Sequence, residues 1–134
     1  MAKLFYSATF QLYPMQPKFN VWLEENGNVV LSPWRVQLLE TIEKTGSISA
    51  AALELNVPYR RAWEKIQEIE RGLGTPVLQT TIGGAGGGGA HLTEAARRAI
   101  QRFHVFTTGL QEEIQQRYQA AFAAIVAENP ESEM

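Results

Sequence analysis

The 134-residue chain has no cysteine, which excludes disulfides, thiolate metal centres and thiol nucleophiles. It has no aspartate either, so all 14 acidic residues are glutamates. Its two histidines, His91 and His104, thus lack the partners of a zinc centre or a hydrolytic triad. Both are expected in structural or solvent-facing positions, with no catalytic residue, no metal and no cofactor. No lysine follows Lys65. The glycine-rich run GGAGGGG at 83–89 therefore lacks the GK[ST] ending that a phosphate-binding P-loop requires. Long apolar runs are missing too: nothing approaches the roughly 18 residues that span a bilayer. The N-terminus, MAKLFYSATFQLYP, lacks the apolar core and cleavage site of a signal peptide. The expectation is a soluble cytoplasmic protein that is not an enzyme.

What is present describes a globular chain. Hydrophobic residues make up 45% and charged residues 19%, enough for one domain with a core. The net charge of −2 does not favour nucleic acid, but its distribution does not exclude it. Residues 60–102 carry seven Arg or Lys against four Glu, a local balance of +3; residues 103–134 carry Arg117 against five Glu, a balance of −4. One basic face on an acidic molecule can still engage phosphate.

Alternation of Leu4, Tyr6, Ala8, Phe10 and Leu12 predicts a strand. Phe19, Val21 and Leu23 predict another, which turns at Asn26-Gly27, a strong hairpin signal, into Val29 and Leu31. Ser32-Pro33 opens a helix with Val36, Leu38, Leu39 and Ile42 on one face, ended by Gly46. A second helix starts at Ser47 or Ser49, where Ala50, Ala51 and Ala52 permit close packing. Asn56-Val57-Pro58 is a turn. A third helix buries Ala62, Ile66 and Ile69, leaves Tyr59, Arg60, Glu64 and Lys65 outward, and stops at Gly72 and Gly74. Val77, Leu78 and Ile82, the glycine run and Ala90-His91-Leu92 then form a hairpin. Thr93 caps a long helical pattern from Ala96 to Ile125, with a weak point at Thr107-Thr108-Gly109.

The segment from Thr45 to Leu73 has the layout of a helix-turn-helix, whose second helix enters the DNA major groove N-terminus first. Arg60, Arg61 and Lys65 have a bland reading as a solvated face pairing with Glu64 and Glu68. Arg61 and Lys65 also repel each other at i,i+4, which a phosphate would relieve. Tyr59 can reach phosphate or base, or simply pack at the cap. Trp63 has the apolar area to anchor the core or to pack against the wing, and the core is the expectation. Ile100, Phe103, Phe106, Leu110, Ile114, Tyr118 and Phe122 form a stripe too long for so small a domain to cover, so self-association is expected.

Two segments, LSPWRVQLLETIEKTGSISAAALELNVPYRRAW and TTIGGAGGGGAHLTEAARR, resemble the N-terminal DNA-binding domain of the ModE family of molybdate-responsive transcriptional regulators. A broader resemblance, to LysR-type winged helices, covers GSISAAALELNVP and IERGLGTPVL. Together they span about residues 19–126. The resemblance implies a winged-helix domain that dimerises through long helices on palindromic operators. Its recognition-helix N-terminus maps to Pro58, Tyr59, Arg60 and Arg61, and its wing to residues 77–92. Full-length members also carry C-terminal oxyanion-binding domains, which this chain ends too early to include. The family's glycine loop often holds a basic residue where Ala85 stands.

The resulting expectation is a mainly α fold with a small β component: a winged helix-turn-helix over 1–92, with an N-terminal β-hairpin, then a long dimerisation helix over 93–134. Its partners are double-stranded DNA and a second copy of itself, without molybdate binding by this chain. Ser47, Ser49, Pro58, Tyr59, Arg60, Arg61, Lys65, Thr80 and Thr81 are the expected DNA contacts. The alternative is a winged-helix protein-interaction module without DNA activity.

Overall fold

Asn26 and Gly27 both adopt positive φ, 52° and 81°, the type I′ turn geometry that matches strand twist. They join β1 (Leu23–Glu25) to β2 (Asn28–Leu31) as an antiparallel hairpin. Pairing starts at Leu23 opposite Leu31. The strand expected from Phe19 is thus shorter, because Ser32 turns the chain into a helix and leaves Val21 nothing to pair with. The computed structural model describes residues 15–81 and 89–128, with side chains to 123. The strand expected over residues 4–12, Ile82 and most of the glycine run lie outside the described residues.

Helix α1 (Pro33–Thr45) begins as expected: the Ser32 hydroxyl accepts from the Arg35 N–H at 3.1 Å, and Pro33 fills the first turn. Gly46, at φ 78°, ends it. Helix α2 (Ile48–Glu54) is capped by Ser47, whose hydroxyl accepts from Ala50 N–H at 2.9 Å. Asn56 then takes a left-handed conformation, φ 57°, and Val57 N–H returns to Ala52 C=O at 3.0 Å, closing the turn. Pro58 sits at the cap of α3 (Tyr59–Leu73).

Gly74, φ 71°, terminates α3, whereas Gly72 lies inside it. The expected stop at Gly72 is instead a contact. A Cβ there would come within 2.5 Å of a Val30 methyl, so the missing side chain lets β2 lie against the helix.

Strands β3 (Leu78–Thr81) and β4 (Gly89–Leu92) pair antiparallel, with Leu78 opposite Leu92. Thr93 caps the next helix: its hydroxyl accepts from Ala96 N–H and donates to the Pro76 carbonyl. The long helical pattern breaks at Gly109, φ 86°, into α4 (Glu94–Thr107) and α5 (Leu110–Glu128).

Residues 21–106 make one compact unit. Its core joins Leu38, Leu39 and Ile42 of α1 to Ala51 and Ala52 of α2, and to Ala62, Ile66 and Ile69 of α3. Val77, Ala90 and Leu92 at the β3–β4 base close it, with Ala96, Ile100 and Phe103 of α4. The two alanines of α2 are the small residues that let α2 approach its neighbours. The arrangement is mainly α, a winged helix-turn-helix preceded by a hairpin. The second unit contains the described residues 15–20 and 107–128.

Candidate nucleic-acid interface

The third helix of the unit, α3, carries the candidate surface. Ala62, Ile66 and Ile69 face inward, which leaves Tyr59, Arg60, Arg61, Trp63 and Glu64 exposed at its N-terminal half. Trp63 is 46% exposed, so its expected place in the core is corrected. It lies about 100° around the helix from Ala62, outside the stripe that reaches the core. Residues 59 and 63 are one turn apart, so the sequence places Trp63 with Tyr59, which is 51% exposed. Area was the wrong guide there; angle was the right one.

The cations differ in what holds them. Arg60 pairs with Glu64 at 3.1 Å, with the arginine side chain 90% exposed. Such a solvated i,i+4 pair is weak and easily exchanged for another anion. Arg61 is exposed and makes no ion pair among the described residues. Lys65 does not face Arg61 as an unrelieved repulsion, because Glu68 pairs with it at 3.0 Å. That carboxylate also meets Arg35 of α1 at 3.5 Å. Burial pushes the Glu68 carboxyl up, but the Lys65 hydrogen bond and the charges of Arg35, Lys65 and Arg71 hold it below its ordinary value.

Ser47 spends its oxygen on the α2 cap, whereas Ser49 is exposed. Pro58 is exposed beside Tyr59. Thr80 and Thr81 are exposed on β3, and Thr81 Oγ1 accepts from Gly89 N–H at 3.1 Å across the hairpin. His91 and His104 are both exposed, and His104 lies 3.3 Å from Glu40. Among the described residues no group of three potential ligands could hold a metal ion. No helix of the described residues is long and apolar enough to cross a membrane.

What fixes the β3–β4 hairpin on the domain is a set of ties the sequence did not disclose. Ala90 N–H donates to the Gly46 carbonyl at 2.8 Å. Leu92 N–H donates to Glu43 Oε2 at 2.6 Å, and Arg97 reaches Oε1 of the same carboxylate at 3.1 Å. The backbone bond from Leu92 holds the Glu43 carboxyl below its ordinary value; burial opposes this, and Arg97 and His91 add to it. On the other flank, Glu70 accepts from Val77 N–H at 3.1 Å. The wing base is thus bonded to the helix-turn of α1–α2 and to the end of α3. No spacing rule predicts a glutamate on α1 bonding a backbone 49 residues later.

Helix-turn-helix, third exposed helix and anchored hairpin together define a winged helix-turn-helix domain. Residues 34–97 match the family model described as bacterial regulatory helix-turn-helix protein, lysR family. Over 76 residues the chain is 42% identical to the molybdenum-pterin-binding protein MopB of Rhodobacter capsulatus, covering 57% of this chain and 28% of that one. It is 34% identical over 94 residues to the transcriptional regulator ModE of Yersinia pestis, covering 70% and 36%. It is also 34% identical over 89 residues to the DNA-binding transcriptional dual regulator ModE of Escherichia coli, covering 66% and 34%. The chain spans about a third of the length of these relatives. Over its winged helix-turn-helix region the chain is thus similar to the ModE regulators and to the lysR-type helix-turn-helix.

Proposed function

We propose that this chain is a sequence-specific DNA-binding transcriptional regulator that acts as a homodimer on a palindromic operator. The observation that carries the reading is the N-terminal half of α3, where Tyr59, Arg60, Arg61 and Trp63 stand exposed, in a domain whose wing is fixed at its base. Arg61 and Arg60 supply phosphate or guanine contacts, the latter by trading Glu64 for DNA. Tyr59 and Trp63 offer apolar faces to thymine methyls and sugars. Pro58 sets the helix entry; Ser49, Thr80 and Thr81 donate to backbone phosphates, and Ser47 contributes through the cap it makes. Lys65 is secondary, because Glu68 already holds it.

Dimerisation is assigned to the apolar stripe past the core. Ile100 and Phe103 are buried in the domain's own core, which narrows the expected contact set. Phe106, 50% exposed, remains, and so do the partly exposed Leu110, Ile114, Tyr118 and Phe122 of α5. In a symmetric dimer two recognition helices about 34 Å apart would select half-sites one turn apart.

Operator selection followed by fluorescence anisotropy tests the reading. A preferred palindrome should emerge, and Arg60→Ala with Arg61→Ala should weaken it at least about tenfold, given ~1–3 kcal/mol per good base contact. Absence of any preferred sequence and of retention on DNA at low salt would instead support the protein-interaction module.

A further inference from the structure

The core-facing stripe of α3 runs through Ala62, Ile66 and Ile69. At about 100° per residue, the face opposite that stripe is the row Arg60, Glu64, Gln67 and Arg71. Tyr59 and Trp63 flank the row on one side and Arg61 on the other. Arg60 and Glu64 are thus the two residues of the N-terminal half placed most directly away from the core, on the face a major groove would meet. A glutamate there is out of place on electrostatic grounds, because it faces a polyanion. Its side chain is 53% exposed, and its partner among the described residues is Arg60, whose Nε donates to Glu64 Oε1 at 3.1 Å.

We infer that Glu64 is a specificity-determining residue that selects a cytosine in each half-site, which rests on the DNA-binding reading above. The base edges in the major groove differ in what they offer a carboxylate. Guanine presents two acceptors, and thymine an acceptor beside a methyl, so both repel it. Adenine sets its amine beside the N7 acceptor. Cytosine alone presents a donor, its N4 amine, with no acceptor. When Arg60 leaves Glu64 for guanine O6 and N7, the freed carboxylate needs a new donor. The N4 amine of the paired cytosine lies beside that O6. Two side chains already in contact in the free protein therefore fit the two halves of one C·G pair. With any other base there, Glu64 either keeps Arg60 from the DNA or stands unpaired against acceptors, so it acts chiefly by rejection.

Anisotropy titrations at fixed salt test this, on the selected operator and on versions carrying each other base at each half-site position. The proteins compared are wild type, Glu64→Ala and Glu64→Gln, both changes at an exposed position. For wild type, replacing one half-site cytosine should weaken binding about tenfold or more. In Glu64→Ala the penalty at that position alone should shrink below about threefold, while affinity for unrelated DNA rises because an anion is gone. Glu64→Gln should shift the preference at the same position from cytosine to adenine. A selected operator with no cytosine in its half-site would overturn the inference and leave the regulator reading standing. So would a Glu64→Ala variant that keeps wild-type preferences at every cytosine. Absence of any selected sequence would remove both readings together.

Discussion

Glu43 holds the base of the wing from outside the wing. Its carboxylate takes the Leu92 N–H and the Arg97 guanidinium, joining α1, β4 and α4. Glu43→Gln should cost about 1–2 kcal/mol, the worth of charge-assisted bonds at a partly exposed site, read from urea denaturation at neutral pH. The sign of its pH dependence follows from its lowered folded value. Its contribution is complete above the ordinary carboxylate value of 4.5 and is lost as pH falls through the lower folded value. The stability gap between wild type and Glu43→Gln should therefore close in acid. A gap that stays constant down to acid unfolding would mean that the charge of Glu43 is irrelevant.

The residue scale is also where sequence reading was most uneven. Caps were legible because they act locally: Ser32, Ser47, Gly46 and Thr93 all occupy the positions their chemistry favours. Arg60, Arg61 and Tyr59 fell on the exposed side because Ala62, Ile66 and Ile69 fix the phase of α3. Trp63 lies outside the core because its angle on α3, and not its area, decides its place. The Lys65–Glu68 pair, one of the contacts the solvated-face reading expects, forms at i,i+3. The bonds of Glu43 were not legible at all, since they join segments that only the fold brings together.

At the scale of elements, close approach replaces hydrogen bonding as the limiting condition. Strand β2 lies against α3 because Gly72 offers no side chain to Val30. Helix propensity alone favours alanine at residue 72 by about 1 kcal/mol. Gly72→Ala should nevertheless destabilise the domain, by about 1–3 kcal/mol from overpacking. Val30→Ala in the same chain should recover part of that loss. A thermodynamic cycle in guanidinium measures the coupling; simple additivity of the two changes would show that the contact is not limiting. The division between α4 and α5 obeys a backbone rule rather than a packing one. Gly109 stands at φ 86°, where alanine is strained, and Gly109→Ala should cost about 1 kcal/mol or more, read as a lower melting temperature.

For the whole molecule, charge and association are the properties that bear on the proposed function. A net charge of −2 gives little long-range steering, so DNA affinity must come from local contacts. Its logarithm should fall with the logarithm of salt by about 0.9 for each phosphate neutralised. Ile114→Glu on α5 should shift the chain toward monomer in sedimentation and weaken operator binding, while leaving the melting of residues 21–106 unchanged. A monomeric wild type would remove the basis for a palindromic site.

One backbone atom ties two of these levels together. Gly46 ends α1 with its left-handed φ, and its carbonyl receives the Ala90 N–H. The Ala90 amide should therefore exchange with solvent deuterium only when the α1–α2 corner opens, so the base of the wing and the start of the helix-turn-helix open as one cooperative unit. Any ligand that slows exchange at that corner should slow it at Ala90 by the same factor.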